Sequence, residues 1–255
     1  MSLRILLSND DGIFAPGLLA LRQALAAEGF QVTTVAPDRP RSASSHSITL
    51  HKPLRVAEVE LADGSPGYAV SGTPSDCALI GLDEVTKGEV DLVVSGINHG
   101  PNVGWDVIYS GTVAAAMEAT ILGYRAIAVS TASYAKHQYY ETAARFIARK
   151  LAPQVGTHSL PTGTLLNVNV PNLPESEIRG VKITHQGERR YIDRVERRED
   201  PFGKAYYWVG GKPDGAAGKP GTDIEAVDAG FISVTPIDMD MTHLPLMDAL
   251  NSWDL

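Results

Sequence analysis

The first apolar run, Leu3 to Ser8, carries no helical period, and a polar loop containing Gly and Pro follows it. Leu18, Leu19, Leu21 and Leu25 then fall at helical spacing before a stop at Gly29, the pattern of an amphipathic helix and its C-terminal signal. Gln31 to Ala36 is a second apolar, β-branched run, closed by Pro37-Asp38-Arg39-Pro40. This opening unit reads strand, helix, strand, which predicts a parallel pair with a right-handed crossover.

Further along, Ile48 to Val56 and Tyr68 to Val70 read as short strands, with a turn at Asp63-Gly64 between them. Ser75 to Val85 has helical apolar spacing, and Asp91 to Ser95 is a buried-type strand. A long loop from Gly96 to Tyr109 leads into Ser110-Gly111-Thr112 and an Ala-rich helix, Val113 to Leu122, followed by a strand at Ala126 to Ser130. A helix over Tyr139 to Lys150 and a strand over Leu165 to Val170 complete the alternating series. Such alternation is the signature of a doubly wound α/β sheet.

Beyond Leu165 to Val170 the character changes to prolines, charge runs and aromatic strands around Tyr206 to Val209. Arg179 to Thr222 reads as a β-rich extension, and its charge run, Glu188 to Asp200, as the solvated face of a hairpin. The chain ends on a strand, Phe231 to Pro236, and a short helix, Pro245 to Trp253. The expected division is an α/β catalytic core over 1–178 and, over 179–255, the extension with the last core strand and the C-terminal helix. A length of 255 residues suits one core with a modest appendage, since single cores stop growing near about 250 to 300 residues.

Charge narrows the choice of partner. A net charge of -8 argues against a binder of duplex nucleic acid, whose affinity rests on clustered Lys and Arg. It leaves room for a small phosphorylated ligand, because a metal or a helix N-terminus supplies positive charge locally. The single cysteine, Cys77, permits no intrachain disulfide and reads as a small buried apolar residue. The first apolar run is far too short for a signal peptide or a membrane span, so a cytoplasmic protein without membrane association is expected.

In an open parallel sheet the ligand crevice lies beyond the carboxyl ends of the strands. The first strand delivers Asn9, Asp10, Asp11 and Gly12 there, the second Asp38, Arg39, Arg41 and Ser42, and the strand Asp91 to Ser95 delivers Gly96, Asn98, His99 and Asn102. Adjacent carboxylates raise each other's pKa, and a bound cation removes that cost. Carboxylate, hydroxyl and amide oxygens are hard ligands, so Asp10, Asp11, Ser42 and Asn98 are the candidate ligands for Mg²⁺, Mn²⁺ or Ca²⁺. Taken alone, Asn-Asp-Asp-Gly reads equally well as a turn.

The helix start Tyr-Ser-Gly-Thr-Val offers backbone N–H groups and the positive end of a helix dipole, a candidate anion site at Ser110, Gly111 and Thr112, although an ordinary N-cap fits any single helix start. Ser71-Gly72-Thr73-Pro74 is a weaker case of the same kind. A cation and an anion pocket on one rim favour phosphoryl chemistry. A carboxylate such as Asp11 could serve there as base or nucleophile, and His46 or His99 could donate a proton to a leaving oxygen. No P-loop, dinucleotide fingerprint or nucleophile elbow is present.

Several long motifs carry a resemblance. Ile-Leu-Leu-Ser-Asn-Asp-Asp-Gly (5 to 12), Ala-Pro-Gly (15 to 17), Val-Ala-Pro-Asp-Arg with Arg-Ser (35 to 42), Ser-Gly-Thr-Pro-Ser-Asp-Cys (71 to 77), Val-Ser-Gly-Ile-Asn-x-Gly-Pro-Asn (94 to 102) and Tyr-Ser-Gly-Thr-Val-Ala-Ala-Ala-Met-Glu (109 to 118) resemble the SurE family of stationary-phase survival proteins. Gly-Thr-Asp (221 to 223) and Ser-Val-Thr-Pro (233 to 236) are also similar to it. The resemblance implies a Rossmann-like, mostly parallel α/β core with a β-rich C-terminal extension that reaches a neighbouring subunit in a homodimer or homotetramer. It implies hydrolysis of nucleoside 5′-monophosphates, and of 3′-monophosphates in some members, with one divalent cation per subunit. The implied metal positions fall on Asp10, Asp11, Ser42 and Asn98, with Mg²⁺ or Mn²⁺ ahead of Ca²⁺. Asp10 and Asp11 are then the expected catalytic residues, and Asn9, Asn98, Ser110, Gly111 and Thr112 the expected phosphate and substrate contacts. Two other readings stay open: a nucleotide- or metal-binding module without turnover, and a haloacid-dehalogenase-like phosphatase. The latter expects Asp-x-Asp, whereas Gly12 follows Asp10-Asp11 here.

Overall fold

The computed structural model describes residues 2–189, 191–192, 195–213 and 218–254. Its centre is one nine-stranded sheet. In chain order the elements are β1 (Arg4–Ser8), α1 (Pro16–Ala27), β2 (Gln31–Pro37), β3 (Val56–Glu60), β4 (Pro66–Val70), α2 (Pro74–Ile80), β5 (Leu92–His99), α3 (Gly111–Ile121), β6 (Ala126–Thr131), α4 (Tyr140–Phe146), α5 (Ala152–Thr157) and β7 (Thr164–Val170). They continue as β8 (Val181–Ile183), β9 (Tyr191–Ile192), β10 (Val195–Glu199), β11 (Ala205–Val209), β12 (Lys212–Pro213), α6 (Asp223–Asp228), β13 (Ile232–Asp238) and α7 (Leu244–Leu250).

The sheet order is β3-β4-β2-β1-β5-β6-β7-β13-β8. Strands β4, β2, β1, β5, β6 and β7 run parallel, β13 lies antiparallel against β7, and β3 antiparallel against β4. β1 is flanked by β2 on one side and β5 on the other, so the chain reverses its direction of winding there. That reversal opens a crevice at the carboxyl ends of β1 and β5.

Alternation along the strands sorts the core into two layers, as a period of two requires. Ile5 and Leu7 of β1 join Leu18, Leu21 and Leu25 of α1 and Ala143 and Ile147 of the α4 segment on one face. Leu6 joins Cys77 of α2 and Val113, Ala116 and Ala119 of α3 on the other. Because helices cover both faces, the central strands read as continuous apolar runs. Cys77 is fully buried in this second layer, as its apolar neighbours lead one to expect.

Three expectations change. Ile48 to Val56 forms no strand: residues 48–55 are irregular and the strand starts at Val56. Leu50 is exposed, and Thr49 gives its N–H and hydroxyl to the Asp76 carboxylate at 2.9 and 2.6 Å, a side-chain anchor in place of a ladder. β5 does not end at Ser95 but runs on to His99 through a register shift between Ser95 and Asn98. Gly96 permits this, with φ 143 and a position where a Cβ would sit 2.3 Å from the Val129 carbonyl oxygen. The remainder of the expected loop includes a short 3₁₀ turn, Gly104–Ile108. The helix expected over Tyr139 to Lys150 continues through a wider turn at Ile147–Leu151 into α5.

In the extension, β10 and β11 pair as an isolated antiparallel hairpin whose residues are all exposed. Arg190, Asp193 and Arg194 of the expected charge run, and residues 214–217 of the extension, lie outside the described residues. Among the described residues no helix is long and apolar enough to cross a membrane.

Gly17, in the Ala-Pro-Gly motif, brings α1 against β5: a Cβ there would lie 2.2 Å from the Ile97 carbonyl oxygen. Gly17→Ala is expected to cost about 2 to 3 kcal/mol through overpacking and to lower the thermal midpoint by roughly 5 to 10 °C. An unchanged midpoint in a melting experiment would show that α1 has room to shift.

Candidate active site

The crevice beyond β1 and β5 holds a cleft of about 480 Å³ lined by Asp10, Asp11, Ser42, Asn98, His99, Asn102 and Ser110, among others. Residues far apart in sequence meet there because three strand ends and one helix start do. Asn9 builds the first corner: it is fully buried, its Oδ1 accepts the Gly12 N–H at 3.1 Å and its Nδ2 donates to the Gly12 carbonyl at 3.0 Å. Its side chain shapes the turn that presents the next two residues. Gly12 has φ 99, a conformation that suits glycine at the bend.

Asp10 points inward and Asp11 toward the cleft rim. Asp10 Oδ1 accepts the hydroxyl of the fully buried Thr112 in the first turn of α3, and its main-chain carbonyl accepts the Arg41 N–H at 2.7 Å. The Asp10 carboxylate therefore docks on the positive end of α3. Gly111 makes the approach close enough: a Cβ there would be 2.9 Å from Asp10 Oδ2 and 2.7 Å from Ser44 Oγ. Ser44 Oγ is itself buried without a hydrogen-bond partner among the described residues, beside these groups. Asp11 Oδ2 accepts the His99 N–H at 3.1 Å.

Ser42 stands exposed at the start of the next loop. The loop holds Ala43 at φ 55 and Ser45 at φ 54. Ser45 is tied to the turn before α3 by its N–H on the Tyr109 carbonyl at 3.1 Å and its hydroxyl on the Ile108 carbonyl at 2.8 Å. Asn98 donates from its amide nitrogen to the Gly100 carbonyl at 2.9 Å, which leaves its side-chain oxygen available to a ligand. Ser110 caps α3 by accepting the Val113 N–H at 3.1 Å.

Other candidates are committed elsewhere. His46 Nε2 pairs with Glu118 at 2.7 Å, and His99 Nε2 lies 3.1 Å from the Gln138 amide. The helix start at Ser71 to Pro74 carries its own anion: Thr73 and Asp76 form a capping box, so α2 is closed to an outside phosphate.

Asn102 and Asp223 lie in motifs that the sequence displays, and Asp106 carried no signal of its own, but what each of the three holds appears only in the fold. Asn102 gives its N–H to Asn169 Oδ1 at 2.8 Å and its amide to Ser130 at 2.8 Å, while Asn167 and Asn169 both donate to its carbonyl. Asp223, fully buried, accepts the Gly104 N–H at 2.7 Å and the Gly187 N–H at 2.8 Å. Asp106 takes Tyr191 Oη at 2.7 Å and Arg189 at 3.1 Å. The last two clamps bind the extension to the cleft wall.

The family model for the survival protein SurE matches residues 5–193. The chain belongs to the SurE family. The 5′-nucleotidase SurE of Desulforudis audaxviator is 49% identical over 98% of this chain and 97% of its own, and that of Carboxydothermus hydrogenoformans 46% over 98% and 96%. The crystal structure of the SurE protein from Aquifex aeolicus matches with a TM-score of 0.85 at 40% identity, covering 97% of this chain and 98% of that one. The SurE motifs thus coincide with the structural joints of the cleft: 5–12 with β1 and its turn, 94–102 with the bulged end of β5, and 109–118 with the start of α3.

Burial raises the Asp10 carboxyl to about 6, with Asp11 adding repulsion and the Thr112 hydrogen bonds opposing the rise. Asp11 is also raised by burial, against the His99 N–H. A folded-state value above the ordinary one means that folding favours protonated Asp10. That contribution is intact below the unfolded value, near pH ~4, and is lost as pH rises through about 6. Chelator-treated protein should therefore lose on the order of 3 kcal/mol between about pH 4 and pH 7 relative to Asp10→Asn. Urea unfolding of both proteins across this range is the measurement, and parallel pH profiles would refute the assignment to Asp10.

Proposed function

We infer that this protein is a 5′-nucleotidase, a metal-dependent phosphomonoesterase that hydrolyses nucleoside 5′-monophosphates to nucleoside and phosphate. The observation that carries the reading is the paired Asp10-Asp11 in a nucleotide-sized cleft beside the start of α3, in a chain 49% identical to a 5′-nucleotidase SurE. Two adjacent carboxylates, both pushed up by burial, form a donor set that gains from a divalent cation. Asp10, Asp11, Ser42 and Asn98 would hold it, all through hard oxygens, which favours Mg²⁺ or Mn²⁺. When bound, the cation supplies Lewis acidity toward a phosphate oxygen and a lowered pKa for water.

The residues of the chain have separable tasks. Thr112 fixes Asp10 from the helix side and the His99 N–H fixes Asp11 from the strand side. Ser110 and the main-chain N–H of Gly111 face the incoming phosphate at the positive end of α3. Asn98 orients ligand and substrate from the bulge of β5, and Asn9 contributes by holding the turn. Some activity on 3′-monophosphates is compatible with an open cleft. The cytoplasm, where such nucleotides occur, is the working location.

With Mg²⁺ or Mn²⁺, AMP and GMP should release phosphate, and Asp11→Asn should reduce kcat by at least about 100-fold, the scale of losing a charged transition-state or ligand group. Nucleotide binding without release by the wild-type protein would instead make it a binding module.

Residues 1–178 serve as the catalytic core in this reading, and 179–255 carry the extension that joins subunits into a dimer or tetramer. The hairpin of β10 and β11 exposes Tyr207, Trp208 and Val209, and α7 exposes Leu244 and Met247, large apolar side chains of the kind that an interface covers. Trp208→Glu should lower the mass measured by light scattering toward that of a monomer; an unchanged mass would place the contact elsewhere.

A further inference from the structure

In the nucleotidase reading the phosphate would take only the part of the cleft lined by Asp10, Asp11, Asn98 and Ser110. The outer end has a different chemistry: Tyr109, Tyr134, Tyr191 and the Gly210-Gly211 pair. Tyr134 differs from an ordinary exposed aromatic in two respects. One side of its ring lies on the main chain of Gly100, so closely that a Cβ at Gly100 would be 2.4 Å from Tyr134 Cε1. Gly100 has φ 119, so both its conformation and its lack of a side chain serve that contact. The residue as a whole is 68% exposed and lies on the cleft wall.

The segment that carries Tyr134 is also held still. The Gln138 amide donates to the Ser133 carbonyl at 2.9 Å and the Ala135 carbonyl at 2.5 Å, and the Ala132 N–H donates to Val170 at 2.8 Å. Tyr191, at the same mouth, is fixed by its hydroxyl on Asp106. An aromatic ring packed along one edge, on a segment whose main chain is hydrogen-bonded on both sides, loses little freedom when a ligand stacks on it.

We propose that Tyr134 is the stacking platform for the nucleobase of the substrate, with Tyr191 lining the same outer subsite. This rests on the nucleotidase reading for its phosphate end. A stacking surface grips any base through its π-face, so the subsite would select nucleotides over phosphate esters without a base while tolerating different bases.

Two measurements test it. In kinetics, Tyr134→Ala should lower the ratio of kcat/KM for AMP to that for ribose 5-phosphate by roughly 5- to 150-fold, the range for loss of one base–aromatic stack, through KM more than kcat, and Tyr134→Phe should restore the ratio. Equal losses on both substrates, or no loss on either, would overturn the platform. In calorimetry, adenosine should bind wild type and Tyr134→Phe alike and Tyr134→Ala at least about fivefold more weakly. Unchanged adenosine binding would overturn the platform whatever the kinetics. Wild-type protein that binds adenosine yet releases no phosphate from AMP would sink the nucleotidase reading and leave the platform standing.

Discussion

The docking of the Asp10 carboxylate on the first turn of α3 is the contact on which the cleft depends. It brings together the end of β1 and the start of a helix that follows β5, more than a hundred residues later in the chain. The glycine at 111 and the hydroxyl at 112 make the approach possible, one by taking no space and the other by donating. A carboxylate buried this way is costly unless its charge is answered. The helix end answers part of it, and the raised pKa of Asp10 shows that a deficit remains. A divalent cation would remove that deficit, which couples metal affinity to the geometry of a helix–strand joint.

Around that joint, the structure places its irregular backbone where it serves the cleft. The bulge at Gly96 shifts the register so that Asn98, paired with Ser130 beyond it, ends on the rim, a common use of bulges beside functional sites. The loop with Ala43 and Ser45 in left-handed conformations carries Ser42 to the same rim and is tied to the residues just before α3. Such conformations persist only when surrounding contacts impose them, and here the contacts are hydrogen bonds to the Tyr109 and Ile108 carbonyls.

The extension also belongs to the architecture of the cleft. Asp223 and Asp106 each join a loop of the core to a residue of the segment beyond 179, and Tyr191 and the Gly210-Gly211 pair line the mouth. The cleft mouth and the surface proposed to join subunits are therefore built on neighbouring parts of one segment.

The central strands, the helices that cover them and the strand ends carrying Asp10, Asp11, Ser42 and Asn98 were legible in the sequence. Apolar period is a local property, and the parallel run β4, β2, β1, β5, β6 and β7 sends those strands' carboxyl ends to one side. The two-residue phase of β1, with Ile5 and Leu7 on one layer and Leu6 on the other, follows from the chain alone. What pairs across the sheet was not legible. Thr112 reads locally as a helix-start residue, and only the packed structure turns its hydroxyl onto Asp10. Ile48 to Val56 has strand composition, yet Asp76 of α2 claims Thr49 and no sheet edge receives the segment. Asn102, Asp106 and Asp223 acquire their roles from partners 28 to 119 positions away. Sequence determined which residues could reach the rim; tertiary packing decided which of their atoms remain free to act there, because hydrogen-bond capacity is allocated only when distant segments meet.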